Sequence, residues 1–132
     1  MHITQESDYA VRIVYTLASS QDRIDAKTIS ERTGVTLRFS LKILNKLVQN
    51  DIVKSYKGSK GGYVLAREPK DINLKQIIEA IEGPYSLVKC MDSQFECTRN
   101  SDGLCQFRKE FARITSQINK EFEKVTFDRF IG

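Results

Sequence analysis

Asp25–Tyr63, DAKTISERTGVTLRFSLKILNKLVQNDIVKSYKGSKGGY, is the stretch on which the fold turns. Asp25 can cap a helix over Ala26–Arg32 by accepting from the free N–H groups of its first turn. Gly34 stands where a helix end calls for a left-handed residue. Thr36 can cap a further helix running to about Asn50. Two helices joined by Thr33-Gly34-Val35-Thr36 make a helix-turn-helix, a motif whose second helix enters the major groove with its N-terminal residues at base edges. Those residues here are Thr36, Arg38, Phe39, Ser40 and Lys42. Arginine pairs bidentately with guanine, and an apolar side chain touches the thymine methyl. The β-prone runs Ile52–Lys57 and Tyr63–Ala66 flank Gly58-Ser59-Lys60-Gly61-Gly62, which reads as a hairpin with a flexible glycine loop. Lys57, Ser59 and Lys60 lie in this loop with no acid nearby, suited to phosphates or the minor groove.

Charge points the same way. The 132-residue chain carries a net charge of +4, but Arg32–Arg67 alone carries +7, with Asp51 its single acid. The remainder carries −3. A basic middle in a slightly acidic chain is an electrostatic footprint for phosphates. A lone helix-turn-helix is more often plain core packing, and some winged helices bind only proteins. The wing and the position of the +7 favour DNA over both.

Outward from this stretch the chain is helical. Tyr9, Ala10, Ile13, Val14, Leu17 and Ala18 recur at helical spacing within residues 4–20, with Thr4 or Ser7 as the cap. Asn73 followed by Gln76 resembles a capping box, opening a helix with Leu74, Ile77, Ile78 and Ile81 on one side. Gly83-Pro84 stops it. From Leu104 or Gln106 a long helix carries Phe107, Phe111, Ile114, Ile118, Phe122 and Val125 in a near-heptad stripe. So long a stripe needs more surface than a small domain supplies, and a second copy of the helix would provide it. The partly apolar tail, Phe127–Ile131, suits packing on that partner. In the reading helix two apolar stripes compete: Leu37, Leu41, Leu44 and Val48, or Leu37, Ser40, Leu44 and Leu47.

All three cysteines fall in one polar loop, Cys90 to Cys105, reading CMDSQFECTRNSDGLC. Three soft ligands in such a loop can grip a metal or an iron–sulfur cluster. Structural zinc and redox thiols are the alternatives, while disulfides leave one of three thiols unpaired. No apolar run approaches a membrane span, and the opening MHITQESDY lacks the pattern of a secretion signal, so a cytoplasmic protein is expected. An enzyme is not: the one histidine is His2, which leaves no Ser-His-Asp or Cys-His set, and Gly58–Gly62 lacks the Walker spacing.

The opening MHITQESDYAVRI, the run Ile29–Val35, the wing Lys57–Tyr63, the helix end Ile81-Glu82-Gly83 and the cysteine loop together resemble the Rrf family of bacterial winged-helix repressors, over essentially the whole chain. The resemblance implies a mainly α fold with a small β-hairpin wing. A winged helix-turn-helix domain would span 1–67, and a sensor and dimerisation region 68–132, with a helix at 73–82, the cysteine loop at 90–105 and a long helix at 106–125. It further implies a homodimer on a palindromic double-stranded operator. Cys90, Cys97 and Cys105 match the positions that hold iron in cluster-binding members, a 4Fe–4S cluster in preference to 2Fe–2S. IscR-like members place a histidine ligand three residues after the last cysteine; here that residue is Arg108. NsrR-like members use an aspartate of the other subunit's first helix, and Asp8 stands at that place. Glu6 and His2 are the remaining candidates. CymR-like members lack the cysteine set. The resemblance thus implies a repressor whose grip on DNA follows nitric oxide, redox or iron status.

Overall fold

Thr4 opens the first helix by accepting the Ser7 N–H on its hydroxyl at 3.2 Å, which settles the cap in its favour. The computed structural model describes residues 3–84 and 106–131. Helix α1 spans Gln5–Ala18 and buries Ser7, Ala10, Ile13, Val14 and Leu17. The apolar members of this set follow the 3-4 spacing of one helical face. Asp25 caps α2 (Ala26–Thr33), accepting from Thr28 N–H at 2.7 Å. Gly34 ends α2 with φ +75°, a conformation in which a Cβ would be strained.

Thr36 caps α3 (Leu37–Gln49). Its far end closes as a Schellman motif: Asp51 N–H bonds to Val48 O at 3.1 Å and Ile52 N–H to Leu47 O at 3.0 Å. Asp51 takes the left-handed position, φ 58°, which Asp tolerates better than most residues. The turn delivers Ile52 and Val53 directly into the core.

Strands β1 (Val53–Tyr56) and β2 (Gly62–Leu65) pair antiparallel, Val53 opposite Leu65 and Tyr56 opposite Gly62. Ile24 joins this sheet through an isolated bridge to Tyr63. The approach is so close that a Cβ on Gly62 would meet the Ile24 carbonyl oxygen at 2.9 Å. After a 3-10 turn at Pro69–Asp71, Asn73 and Gln76 form the full capping box of α4 (Leu74–Glu82).

Helix α5 spans Gln106–Lys124, followed by a 3-10 turn at Phe127–Phe130. The chain then folds back on itself. Asn73 bridges Thr126, Leu74 N–H donates to Val125 O at 3.1 Å, and Phe127 N–H to Ile72 O at 3.1 Å. Phe127 is 1% exposed and joins the core of α1–α4. This corrects the expectation of partner packing for Phe127, whose ring completes the chain's own core; Phe130 stacks edge-on against it at 6.1 Å and is half exposed.

The core gathers Ala10, Ile13, Val14 and Leu17 with Ile29, Ile43, Leu44, Leu47, Ile52, Val53, Ile72, Ile77 and Ile81. The described residues are thus mostly helical with one small two-stranded sheet, a winged-helix fold. Among them no helix is long and apolar enough to cross a membrane.

Candidate nucleic-acid interface

Helix α3 is held by one face and shows the other. Ser40, Ile43, Leu44 and Leu47 are buried. Leu37, Phe39 and Leu41 are each nearly half exposed, at 45%, 47% and 45%. The inward stripe is therefore that of Ser40, Leu44 and Leu47, extended by Ile43, and Leu37 and Leu41 lie outside it. Arg38, Phe39 and Lys42 line a shallow groove on the outer face. Phe39 is steadied from behind by an edge-on contact to Tyr9 at 6.4 Å, whose ring also carries the Arg12 guanidinium at 5.3 Å.

Two of the expected readers have other employment. Thr36 is exposed, and its hydroxyl oxygen accepts the Phe39 N–H at 3.3 Å as the cap of α3. Ser40 is wholly buried and its hydroxyl donates to Val35 O at 3.4 Å. A base contact by Ser40 is thereby corrected: the hydroxyl serves the turn between α2 and α3. Ser30 donates to the same carbonyl at 2.5 Å.

Lys57, Gly58, Ser59 and Lys60 are exposed at the tip of the hairpin, which Gly61 N–H closes onto Gly58 O at 2.9 Å. Lys54 projects from β1 and is also exposed. Not all of the +7 faces this way. Lys46 is drawn under α1, bonding Glu6 at 3.0 Å and the Ile81 carbonyl at 3.4 Å. Arg67 lies half-buried in a groove with Gln76 and Glu79. The exposed cations of this segment are Arg32, at the end of α2, and Arg38, Lys42, Lys54, Lys57 and Lys60 on α3 and the adjoining hairpin. Motif reading missed Arg23, which reaches the wing across 37 residues of chain.

A basic α3 beside a basic hairpin, on this order of helices, is the architecture of a winged-helix DNA reader. A family model described as "Rrf2: Iron-dependent Transcriptional regulator" matches residues 3–132. The chain belongs to the Rrf2 family. An rrf2-like helix-turn-helix regulator of Rhodobacter capsulatus is 31% identical over 122 residues, covering 85% of this chain and 80% of that protein. The regulator NsrR of Oceanobacillus iheyensis is 29% identical, with 99% and 90% covered. Among solved structures, CymR of B. subtilis, titled its global cysteine regulator, superposes with a TM-score of 0.77 at 25% identity, over 97% of this chain and 94% of that one. Membership in the Rrf2 family makes the chain a DNA-binding transcriptional regulator rather than an enzyme.

The other expected site of this Rrf2 protein is only partly within the described residues. Cys90, Cys97, Cys105 and His2 lie outside them. Among the described residues no three of His, Cys, Asp and Glu come together. Asp8 is exposed on the first turns of α1 and pairs with Arg12 at 2.8 Å, both side chains half exposed. Such an i,i+4 surface pair is worth about 0.3–0.5 kcal/mol, so another ligand displaces it at little cost. Glu6 is differently placed, 3.0 Å from Lys46 and 3.6 Å from Lys42. Burial pushes its carboxyl up, but the hydrogen bond and charge of Lys46, with Lys42 behind, outweigh this and hold it below the ordinary value of 4.5. Arg108 is exposed in the first turn of α5, and a guanidinium has no lone pair to offer a metal.

Proposed function

We propose that this chain is a homodimeric, cytosolic repressor that reads a palindromic operator and answers to an iron–sulfur cluster. Residues 1–67 would carry the reading head, and residues 68–132 the sensing and dimerising parts. Arg38 and Phe39 meet base edges, Thr36 and Lys42 flank them, and Lys57, Ser59 and Lys60 meet the backbone. The cluster, 4Fe–4S in preference to 2Fe–2S, would be held by Cys90, Cys97, Cys105 and the partner's Asp8. The donor set fits such a group: three thiols and a carboxylate that is exposed and only weakly engaged. Such a cluster, when bound, would supply a redox- and nitric-oxide-sensitive link between these cysteines and the partner's Asp8, and its loss to nitric oxide, oxygen or iron scarcity would be the signal.

The observation that carries this reading is the wiring of α1. Asp8 lies two residues from Glu6, and Glu6 holds both Lys42 and Lys46 of the reading helix. Ser7 between them donates to the Glu82 carboxylate on α4. A pull on the first turn of α1 is thus felt at Lys42, an outward cation of α3. The coupling required is modest, about 1–3 kcal/mol. Helix α5 begins one residue after Cys105 with an exposed apolar stripe, which joins the loop to the surface best suited to a second copy.

Anaerobic purification with iron and sulfide analysis, and visible spectra of the wild type beside Asp8→Ala, tests the reading. Wild-type protein is expected to be coloured, with an altered spectrum in the variant. An unchanged spectrum in Asp8→Ala removes that residue from the ligand set. Colourless protein with one zinc per chain after anaerobic reconstitution makes the site structural zinc instead.

A further inference from the structure

Arg23 precedes the bridge residue Ile24, just ahead of the cap of α2, yet its side chain ends on the wing, 37 residues further along the chain. Its guanidinium carbon lies 3.6 Å from the centroid of the Tyr56 ring. The same group donates through Nη1 to the Lys60 carbonyl at 3.3 Å. One planar cation therefore touches the last residue of β1 and the tip of the loop after it. Among the described residues no carboxylate pairs with Arg23, so the stack and the carbonyl are its engagements. The backbone enforces the approach: Ile24 N–H donates to Tyr63 O at 3.1 Å and Tyr63 N–H to Ile24 O at 2.8 Å.

The loop being gripped needs it. Lys57–Gly61 contains two glycines, and an untethered glycine loop samples many conformations. Each must be given up before its lysines can meet phosphates in register. A rigid guanidinium fork can stack and donate together, which a flexible ammonium does poorly.

We propose that Arg23 is a positioning residue for DNA binding: stacked on Tyr56 and bonded to the Lys60 carbonyl, it holds the wing in the orientation that presents Lys57 and Lys60 to the phosphate backbone. Arg23 acts through the wing, and Tyr56 is the other half of the device.

The test is a cycle of Arg23→Ala, Tyr56→Leu and the double variant, titrated against a DNA selected with the wild-type full-length protein. Lys57→Ala serves as the control for the wing itself. Each single Arg23 or Tyr56 change is expected to weaken binding about threefold to tenfold. The double variant should be no worse than the weaker single one, and Tyr56→Phe, which keeps the ring, should bind as wild type. The slope of log affinity against log salt should stay near the wild-type value in Arg23→Ala, because the count of phosphate contacts is intended to be unchanged. In the free protein, amide exchange at Lys60 and Gly61 should quicken in Arg23→Ala while the melting temperature holds.

Three results overturn the proposal. Additive losses with a salt slope lower by about one would make Arg23 a direct phosphate contact. Full affinity in Arg23→Ala, with Lys57→Ala impaired, would make the stack irrelevant to DNA. Unaltered amide exchange at Lys60 and Gly61 would show that Arg23 does not order the wing. Wild-type binding by Lys57→Ala would instead defeat the wing's docking itself, and is read separately.

Discussion

Helices α3 and α5 are both amphipathic, and the chain treats them in opposite ways. Among the 13 residues of α3, Ser40, Ile43, Leu44 and Leu47 are fully covered by the protein's own core. Among the 19 of α5 only Thr115 is buried, and residues 106–113 are exposed throughout. Phe107 is 63% exposed and Phe111 37%. The later part of α5 leans on α4, where Lys75 bonds Glu123 at 3.0 Å. A helix of this length gains most of its stability by burying an apolar face, since isolated helices are marginal in water. The contrast teaches that α3 meets its needs among the described residues, while the first half of α5 keeps Phe107 and Phe111 exposed there, as the proposed dimer requires. It is also why α3 can display Leu37, Phe39 and Leu41 outward: its structural needs are met on the opposite face.

The comparison can be broken most forcefully from the inside of α3. Leu44→Ala should cost about 2–5 kcal/mol of unfolding free energy, as for other fully buried leucines. Urea denaturation should show that loss at every protein concentration; a loss below about 1 kcal/mol would mean α3 is not anchored as described. The corresponding change on α5 is Phe107→Asp with Phe111→Asp. If α5 forms the proposed dimer, sedimentation should then show monomers while helical circular dichroism persists. Dimers that survive the double change would place the interface elsewhere.

The outer face of α3 should behave as recognition surface. Arg38→Ala is expected to lose about 1–3 kcal/mol of discrimination at one operator position, measured by competition with mismatched duplexes. Its stability should stay within about 0.5 kcal/mol of wild type. Thr36→Ala removes the cap and should cost about 1 kcal/mol of stability in the same urea experiment. A cost of zero would mean that another group satisfies the first turn.

The smallest effect belongs to the tie between α1 and α3. The Glu6 carboxyl titrates below its ordinary value of 4.5 in the folded chain. The folded state therefore favours the ionised form, and this stability is fully present above the unfolded value. It is lost as pH falls through the lowered folded value. Denaturation of wild type and Glu6→Gln between neutral pH and acid should show a constant gap at first, narrowing below about 4.5. A gap that widened in acid would contradict the pairing with Lys46 and Lys42.

Local chemistry was the legible part. Asp25, Thr36 and Asn73 cap their helices through N–H groups three residues on, so each cap can be read from a few letters. Gly34 and the glycine wing were legible for the same reason. Ser40 was not: a serine on a basic, DNA-facing helix looks like a reader until the turn brings the Val35 carbonyl to it. Phe127 was not either, because its partner Ile72 is remote in sequence and only folding brings the two together. The two candidate stripes of α3 could not be separated by spacing alone, since Leu37 and Leu41 are as apolar as Leu44.

The sequence by itself determined the kind of protein this is. Caps and turn glycines are short-range patterns that the backbone honours where they occur, and the run of cations is read directly from composition. Tertiary structure alone decided which of those cations face outward, because it spends Lys46 on Glu6 and turns Arg67 toward α4. It also decided that Ser40 serves the turn, that Phe127 belongs to the core and that Arg23 rests on Tyr56. Each of these depends on which distant segments share a surface, and burial and charge pairing act on neighbours in space.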